Sequence, residues 1–491
     1  MALRAATVNK NSIFVLNSYP KGIVMEKLVD VAVIGAGTAG INALAEIRKV
    51  TEDVVLINSG PLGTTCARVG CMPSKVMIQV GDDYHRRQVL GEEGIDRADR
   101  LGIDVAQSMA HVRTLRDAFV GGIVEDVIEP LGDRFIEGQA EFVEPTVLGV
   151  GGLTLHAGSV VIATGSGPVI PRRWADIGEY ALTTDTIFEQ ENLPTRMAVM
   201  GLGAIGLELG QALQRMGLAV TGVDQLEQIG GLQDPEVNRA AVEIFKDEVS
   251  LILGTEADIQ KVDRRLRITA GEREFPADKV LLSIGRAPNT DRLHLDRLGV
   301  ELDRRGVPVH DRHTMQVGHL PVFIAGDVAD DRPILHEVAH EGTVAGYNAV
   351  HDPVVEFKRK TPLVICFSDP NICRAGAAWN EVKDTDPAIG AAHFRGGREK
   401  IMLRPHGLIR IYAERKTGRL LGTEMVAPDG EHLAHLMAWS IQQNLTAFDL
   451  LAMPFYHPTI EETLKTALMD LLTDIDGEKP VLPGFEPTGQ R

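Results

Sequence analysis

Cysteine is scarce, with four residues in 491. That excludes a secreted scaffold stapled by disulfides, which needs a dense framework of bridges to replace a core. Aromatic residues make up only 5%, too few for a groove that stacks single-stranded bases. Positive charge is in deficit: 50 Lys and Arg face 68 Asp and Glu, a net charge of −18. Such a surface repels phosphate backbones and anionic lipid, so neither nucleic acid nor membrane is an expected partner. No apolar run approaches the ~20 residues of a membrane span. The apolar stretch Ile13–Leu16 is shorter than the roughly 7–15 residues of a signal-peptide core. The expected compartment is the cytoplasm.

What remains is an ordinary globular composition, 44% hydrophobic and 24% charged, rich in glycine at 50 residues. The length implies several domains. Residues 1–24 show no clear periodicity; residues 1–26 are assigned to an N-terminal extension, with Met25 as the expected start of the folded part. From Leu28 strands and helices alternate, the pattern of a doubly wound sheet. Residues 76–130 read as a helical pair and 135–165 as a strand meander. A second strand–glycine–helix unit opens at Met197. Residues 362–470 form a separate α+β segment, and the Gly- and Pro-rich stretch from Asp474 reads as an extended tail.

Two glycine cradles carry the first chemistry. Gly35-Ala36-Gly37-Thr38-Ala39-Gly40 follows the strand Val29–Ile34 and opens a helix. The first glycine permits a tight turn, the second lets backbone approach a pyrophosphate, and the third lets helix pack on strand; the helix N-terminus then faces the phosphates. Gly201-Leu202-Gly203-Ala204-Ile205-Gly206 repeats the arrangement after Met197–Met200. Its next strand ends in Asp224, an acid placed to bind both ribose hydroxyls and repel a 2′-phosphate. No Lys or Arg lies between Arg215 and Arg239, so NAD(H) is expected over NADP(H). The equivalent position in the first unit is Asn58, an amide that binds ribose less strongly than a carboxylate. Two cradles imply two dinucleotides.

Between the cradles stand Cys66 and Cys71, within Gly63-Thr64-Thr65-Cys66-Ala67-Arg68-Val69-Gly70-Cys71-Met72-Pro73-Ser74-Lys75. In a regular helix this spacing separates the Cα atoms by roughly 8–9 Å, and a disulfide needs less than about 7 Å. Pairing therefore requires irregular backbone around Cys66, for which Gly63 and Gly70 supply freedom. A thiol at a helix N-terminus is also acidified, which suits exchange chemistry.

The segment resembles the active-site fingerprint of the FAD-dependent pyridine nucleotide–disulfide oxidoreductases. Further matches follow in that family's order: Ala163-Thr164-Gly165-Ser166, the second cradle, Gly285-Arg286-Ala287-Pro288-Asn289, Ala325-Gly326-Asp327 and His457-Pro458-Thr459-Ile460-Glu461-Glu462. The resemblance covers about residues 27–470. It implies an α/β fold with two Rossmann-like dinucleotide-binding domains and a C-terminal α+β dimerisation domain. The expected domains are FAD-binding (27–167), NAD-binding (168–285), central (286–355) and interface (356–473), followed by a tail (474–491). Within the family the NAD-type acid and segment lengths look most like the dihydrolipoamide dehydrogenase branch. Mercuric reductases carry a C-terminal cysteine pair, and no cysteine follows Cys373 here. Two positions depart from that branch: Asn58 replaces the usual acid, and Phe455 stands where a His usually lies two before the catalytic one.

By this resemblance Cys66 and Cys71 form a redox disulfide, with Cys66 the exchanging sulfur and Cys71 nearer the flavin. His457 and Glu462 form an acid–base dyad that reaches the cysteines of the other subunit of a homodimer. Lys75 lies beside the flavin with Glu208 as its ion-pair partner. Gly35, Gly37, Gly40, Asn58, Thr65, Thr164, Gly165, Gly326 and Asp327 are the expected FAD ligands; Gly201, Gly203, Gly206, Asp224 and Gly285 are those of NAD. The implied substrate is a dithiol, either a protein-bound dihydrolipoyl group or free dihydrolipoamide. A reductase of another acceptor, a small disulfide or a quinone, is the alternative. His336-Glu337-Val338-Ala339-His340 has the spacing of a zinc-protease helix, but it follows Ala325-Gly326-Asp327, where the family packs a helix on the flavin, and no metal is expected. Cys366 and Cys373 lack ligand spacing and read as buried small residues.

Overall fold

The structure, a computed structural model, describes residues 25–404 and 406–485. Most of the N-terminal extension and the last residues of the tail lie outside the described residues. The chain forms two compact units, each assembled from three separate stretches.

The first unit contains the first cradle, residues 116–167 and residues 286–359. Its sheet runs Phe135–Glu137, Val54–Asn58, Met25–Ile34 and Leu153–Ile162 in parallel, then antiparallel through Val147–Val150 to Ala140–Glu144; Val322–Ile324 also pairs with Leu153–Ile162. The central strands are near-continuous apolar runs because both faces are buried. Val31, Val33, Leu56 and Val161 join one core with Ala39, Ala43 and Leu44 of the helix Thr38–Ile47. Ala32, Ile34, Val55, Ile57, Val160 and Ile162 point the other way, into a core with Phe142, Leu148 and Leu155. This alternation is the period-2 signature of strand side chains. The helix Leu335–Asn348 crosses Thr38–Ile47 closely enough that a Cβ at Gly342 or Gly346 would fall 2.3–2.4 Å from the carbonyl oxygens of Ala39 and Ala43.

The second unit contains residues 69–115, 168–285 and the chain from Lys360. Its parallel sheet has the order Ser250–Ile252, Ala219–Val223, Arg196–Met200, Lys279–Leu282, Ala181–Leu182. A three-stranded antiparallel meander, Ala257–Val262, Arg265–Ala270 and Arg273–Ala277, accompanies it. A five-stranded antiparallel sheet spans 363–427 and is covered by the helices Gly430–Gln442 and Glu461–Thr473. The helix Cys71–His85 packs on Ala204–Arg215, both feeding one apolar core through Met77, Ala212 and Leu213.

Three details differ from expectation. The first strand begins at Met25, ahead of Leu28, with its opening residues exposed and therefore silent in hydrophobic patterning. Phe135–Glu137 adds a parallel edge strand beside Val54–Asn58, apart from the meander. The second helix of the pair, Val105–Ile123, continues as a π-turn over Val124–Ile128. Residues 474–485 contain neither helix nor strand. Among the described residues no helix is long and apolar enough to cross a membrane.

Candidate active site

In the first cradle Gly35 has φ +112°, and a Cβ there would lie 2.2 Å from the Ala163 carbonyl oxygen. A Cβ on Gly40 would fall 1.9 Å from the Gly35 oxygen, so helix and turn meet backbone to backbone. Gly37 caps the helix Thr38–Ile47, and its Cβ would touch nothing nearer than 4.0 Å. Its lack of a side chain therefore serves space outside the fold, as a pyrophosphate site requires. Asn58 closes the turn: its Oδ1 accepts from the Ala36 N–H at 3.1 Å and its Nδ2 donates to the Gly60 oxygen at 3.1 Å. A cavity of about 290 Å³ opens here, lined among others by Gly35, Asn58, Gln139, Thr164 and Asn289.

Thr164 and Asn289 lock together, Thr164 Oγ1 donating to the Asn289 oxygen at 2.9 Å and Asn289 Nδ2 to the Thr164 oxygen at 2.9 Å. Gly165, at φ +69°, accepts from the Asn289 N–H at 2.9 Å. Gly326 has φ +84° and donates its N–H to the buried Glu341 at 2.9 Å. Asp327 accepts from Ser166 Oγ at 2.6 Å, and Arg286 Nε donates to that hydroxyl at 2.8 Å. These residues fit the ribitol and pyrophosphate parts of FAD in polarity and in backbone clearance.

The second cradle repeats this plan in the second unit. Cβ atoms on Gly201 and Gly206 would lie 2.6 Å from the Ser283 oxygen and 1.8 Å from the Gly201 oxygen, while Gly203 has nothing within 4 Å. Asp224 Oδ2 accepts from the Leu202 N–H at 2.6 Å, and Oδ1 accepts from Leu226 N–H at 2.8 Å. Gly285, at φ +116°, also has open space around its missing Cβ.

Cys66 lies half-buried on the short helix Thr65–Val69, and the exposed Cys71 opens the helix Cys71–His85. Gly70, at φ −129° and ψ −119°, breaks the backbone between them, so the regular-helix spacing does not apply. Lys75 Nζ meets Glu208 Oε2 at 2.8 Å; it also stands 4.4 Å from the Phe367 ring centroid. Glu208, nearly buried, accepts a second bond from the Phe367 N–H at 2.8 Å. His457 Nδ1 lies 3.0 Å from both oxygens of Glu462, and this bond holds the Glu462 carboxyl below its usual range. The imidazole is exposed, 78% of its side chain reaching solvent.

Glu337 of the HExxH segment is buried and ion-paired to Arg332 and Arg359 at 3.1 and 3.0 Å, which commits its carboxylate to the fold. Cys366 and Cys373 are buried completely. Burial pushes the Cys366 thiol up to about 12 and moves Cys373 upward as well, which makes both inert at neutral pH. Sequence reasoning missed Glu341, which holds the Gly326 amide, and Arg215, a buried cation gripped by Asp82, Glu248 and Asp369. Each depends on partners far away in sequence and has no local signature.

Residues 29–343 match the pyridine nucleotide–disulphide oxidoreductase family, and residues 362–468 match the dimerisation domain of the same family. The chain belongs to the pyridine nucleotide–disulphide oxidoreductases and is an FAD- and NAD(P)-dependent flavoprotein oxidoreductase. It is 30% identical to a dihydrolipoyl dehydrogenase of Haloferax volcanii, over 90% of this chain and 96% of that one. It is 26% identical to a mercuric reductase of Staphylococcus aureus, over 91% and 83%. In fold it resembles LpdA from Mycobacterium tuberculosis, with a TM-score of 0.78 at 24% identity over 90% of this chain and 100% of that one. The flavoprotein disulfide reductase RclA from Escherichia coli gives a TM-score of 0.77 at 20% identity, over 90% and 99%.

Proposed function

We propose that the protein oxidises a dithiol, a protein-bound dihydrolipoyl group or free dihydrolipoamide, to the cyclic disulfide and reduces NAD⁺, as a cytoplasmic homodimer with shared active sites. The reading is carried by one observation: His457 is hydrogen-bonded at 3.0 Å to Glu462 and exposed, in a chain that keeps both Cys66 and Cys71. The relationship to dihydrolipoyl dehydrogenases supports it.

In this reading His457, held in one tautomer through Nδ1 by Glu462, presents Nε2 to a substrate thiol of the partner subunit's site and accepts its proton. The resulting thiolate attacks Cys66 Sγ, breaking the Cys66–Cys71 bond and forming a mixed disulfide. The second substrate thiol displaces Cys66 and closes the product disulfide, leaving two reduced cysteines. FAD, when bound, supplies two-electron transfer from this cysteine pair to NAD⁺. Gly35, Gly37, Gly40, Asn58, Thr65, Thr164, Gly165, Gly326 and Asp327 hold FAD. Gly201, Gly203, Gly206, Asp224 and Gly285 hold NAD, and the Asp224 carboxylate selects it over NADP. Lys75, fixed by Glu208, supplies a cation beside the flavin.

A second reading, reduction of a small disulfide or a quinone, is favoured by Phe455, a half-buried aromatic two residues before His457. Steady-state rates with dihydrolipoamide and NAD⁺, glutathione disulfide and NADH, and a quinone and NADH decide between them. Dihydrolipoamide is expected to win in kcat/KM, and His457→Ala is expected to slow it by roughly 10²–10⁴-fold. A faster quinone reaction, insensitive to His457→Ala, overturns the dithiol reading.

A further inference from the structure

We propose that Asp82 and Arg215 position the redox helix Cys71–His85, forming the second rung of an ionic ladder whose first rung is Lys75–Glu208. The proposal rests on the reading that this helix presents Cys71 and Lys75 to the flavin. Both rungs join residues 133 positions apart. The helices Cys71–His85 and Ala204–Arg215 therefore run parallel, cross-linked at points two turns apart, about 10 Å along the axis. Beside the second rung sits Gly81. A Cβ there would lie 3.1 Å from the Ala212 carbonyl oxygen and 3.3 Å from Arg215 Cβ, so the helices approach backbone to backbone at this end.

Arg215 is anchored independently of the redox helix. Its side chain is 4% exposed, and it bonds Asp82 at 2.5 Å, Glu248 at 2.6 Å and Asp369 at 3.0 Å. Gln211, one turn earlier, exchanges 2.8 Å hydrogen bonds with the Asp369 backbone, and Glu208 accepts from the Phe367 N–H. Glu208, Gln211 and Arg215 thus form one stripe, fixed along its length by the turn 367–369. Asp82 is the redox helix's charged link to that stripe at the end remote from Lys75. Removing Asp82 leaves the guanidinium still paired with two carboxylates, while the helix loses its ion pair at this end and keeps the Gly81 contact and the 3.8 Å approach of His85 to Glu248. Lys75 is then free to shift against Glu208 and Phe367.

The test compares substitutions of two carboxylates that hold the same buried cation, made in the FAD-loaded protein. Asp82→Asn loosens the redox helix; Asp369→Asn weakens the same guanidinium from the other side. Lys75→Met serves as the reference for a misplaced lysine. Asp82→Asn is expected to move the flavin reduction potential in the direction of Lys75→Met but by less. It should also lower kcat roughly ten-fold while KM for NAD⁺ stays within about two-fold. Asp369→Asn should lower the melting temperature comparably and leave the potential unchanged. Asp82→Ala should enlarge the Asp82→Asn effect, and Asp82→Glu should restore part of it. If Lys75→Met shifts the potential and neither Asp82 variant does, or if Asp369→Asn shifts it equally, the positioning role is overturned and the redox-helix reading stands. If Lys75→Met leaves the potential unchanged, the reading of that helix falls and the positioning role with it.

Discussion

The two cradles are built to one plan and differ at one decisive side chain. In each, the outer glycines meet backbone and the middle glycine faces open space. In each, a residue at the end of the second strand or just past it accepts a hydrogen bond from the amide just after the first glycine: Asn58 from Ala36 and Asp224 from Leu202. The amide and the carboxylate close the turn equally well. They differ in what is left over. Asn58 spends its N–H on the Gly60 carbonyl and carries no charge, whereas Asp224 is an acid that accepts a second bond from Leu226, and the function proposed above sets the ribose against it. Turn closure is thus a duty that either side chain performs, and under the function proposed above only the selection of NAD(H) requires an acid.

The largest expected effect breaks the shared plan itself. Gly206→Ala places a methyl 1.8 Å from the Gly201 oxygen and 2.5 Å from Ser283 Oγ; Gly40→Ala places one 1.9 Å from the Gly35 oxygen. Both carbonyl oxygens belong to backbone, which cannot step aside as a flexible side chain would. Each substitution is expected to destabilise the protein by about 3 kcal/mol or more, at the severe end for overpacking, as read from urea unfolding. Wild-type midpoints would show that helix and turn can separate freely.

The next effect separates space for the fold from space for the ligand. Gly203→Val meets no heavy atom of the protein within 4 Å at its Cβ, and it keeps φ at −62°. Its melting temperature should stay close to wild type while KM for the nicotinamide cofactor rises about ten-fold, because the side chain occupies the pyrophosphate position. The same change at Gly37 should reduce FAD retention and leave nicotinamide binding alone. A cofactor KM unaltered by Gly203→Val would mean that the second cradle is a turn only.

The cradles were legible in the sequence because their requirements are local: glycines at fixed offsets, a strand before and a helix after. Cys366 and Cys373 were also legible as buried small residues, since nothing nearby could make them ligands. What escaped was set by distance along the chain. The Asp82–Arg215 bond joins residues 133 apart, and Arg359 collects Asp331, Glu337 and Glu341 from a preceding loop and helix. No periodicity announces such partners. The HExxH spacing was legible but ambiguous, and the ion pair of Glu337 with Arg359 assigns its carboxylate to packing. The start of the first strand was missed because Met25, Glu26 and Lys27 are not buried on either face.

The smallest expected effect exchanges the one residue that distinguishes the cradles. In Asp224→Asn the amide oxygen can accept from the Leu202 N–H as Asn58 does from Ala36, so the turn should survive and the melting temperature should hold. The charge is lost. A hydrogen bond to a carboxylate is roughly twice as strong as one between neutral groups, so KM for NADH should rise by about five-fold, equivalent to roughly 1 kcal/mol. Discrimination against NADPH should fall further than that, because the repulsion of a 2′-phosphate disappears along with the ribose bond. Asn58→Asp should change FAD affinity less, since the carboxylate gains a ribose acceptor but forfeits the donor that serves the Gly60 carbonyl. If Asp224→Asn melts well below wild type, the carboxylate is part of the turn's stability and the two duties are not separable. If it melts normally and the NADH to NADPH ratio is unchanged, Asp224 does not read the ribose, and cofactor choice rests elsewhere in the second unit.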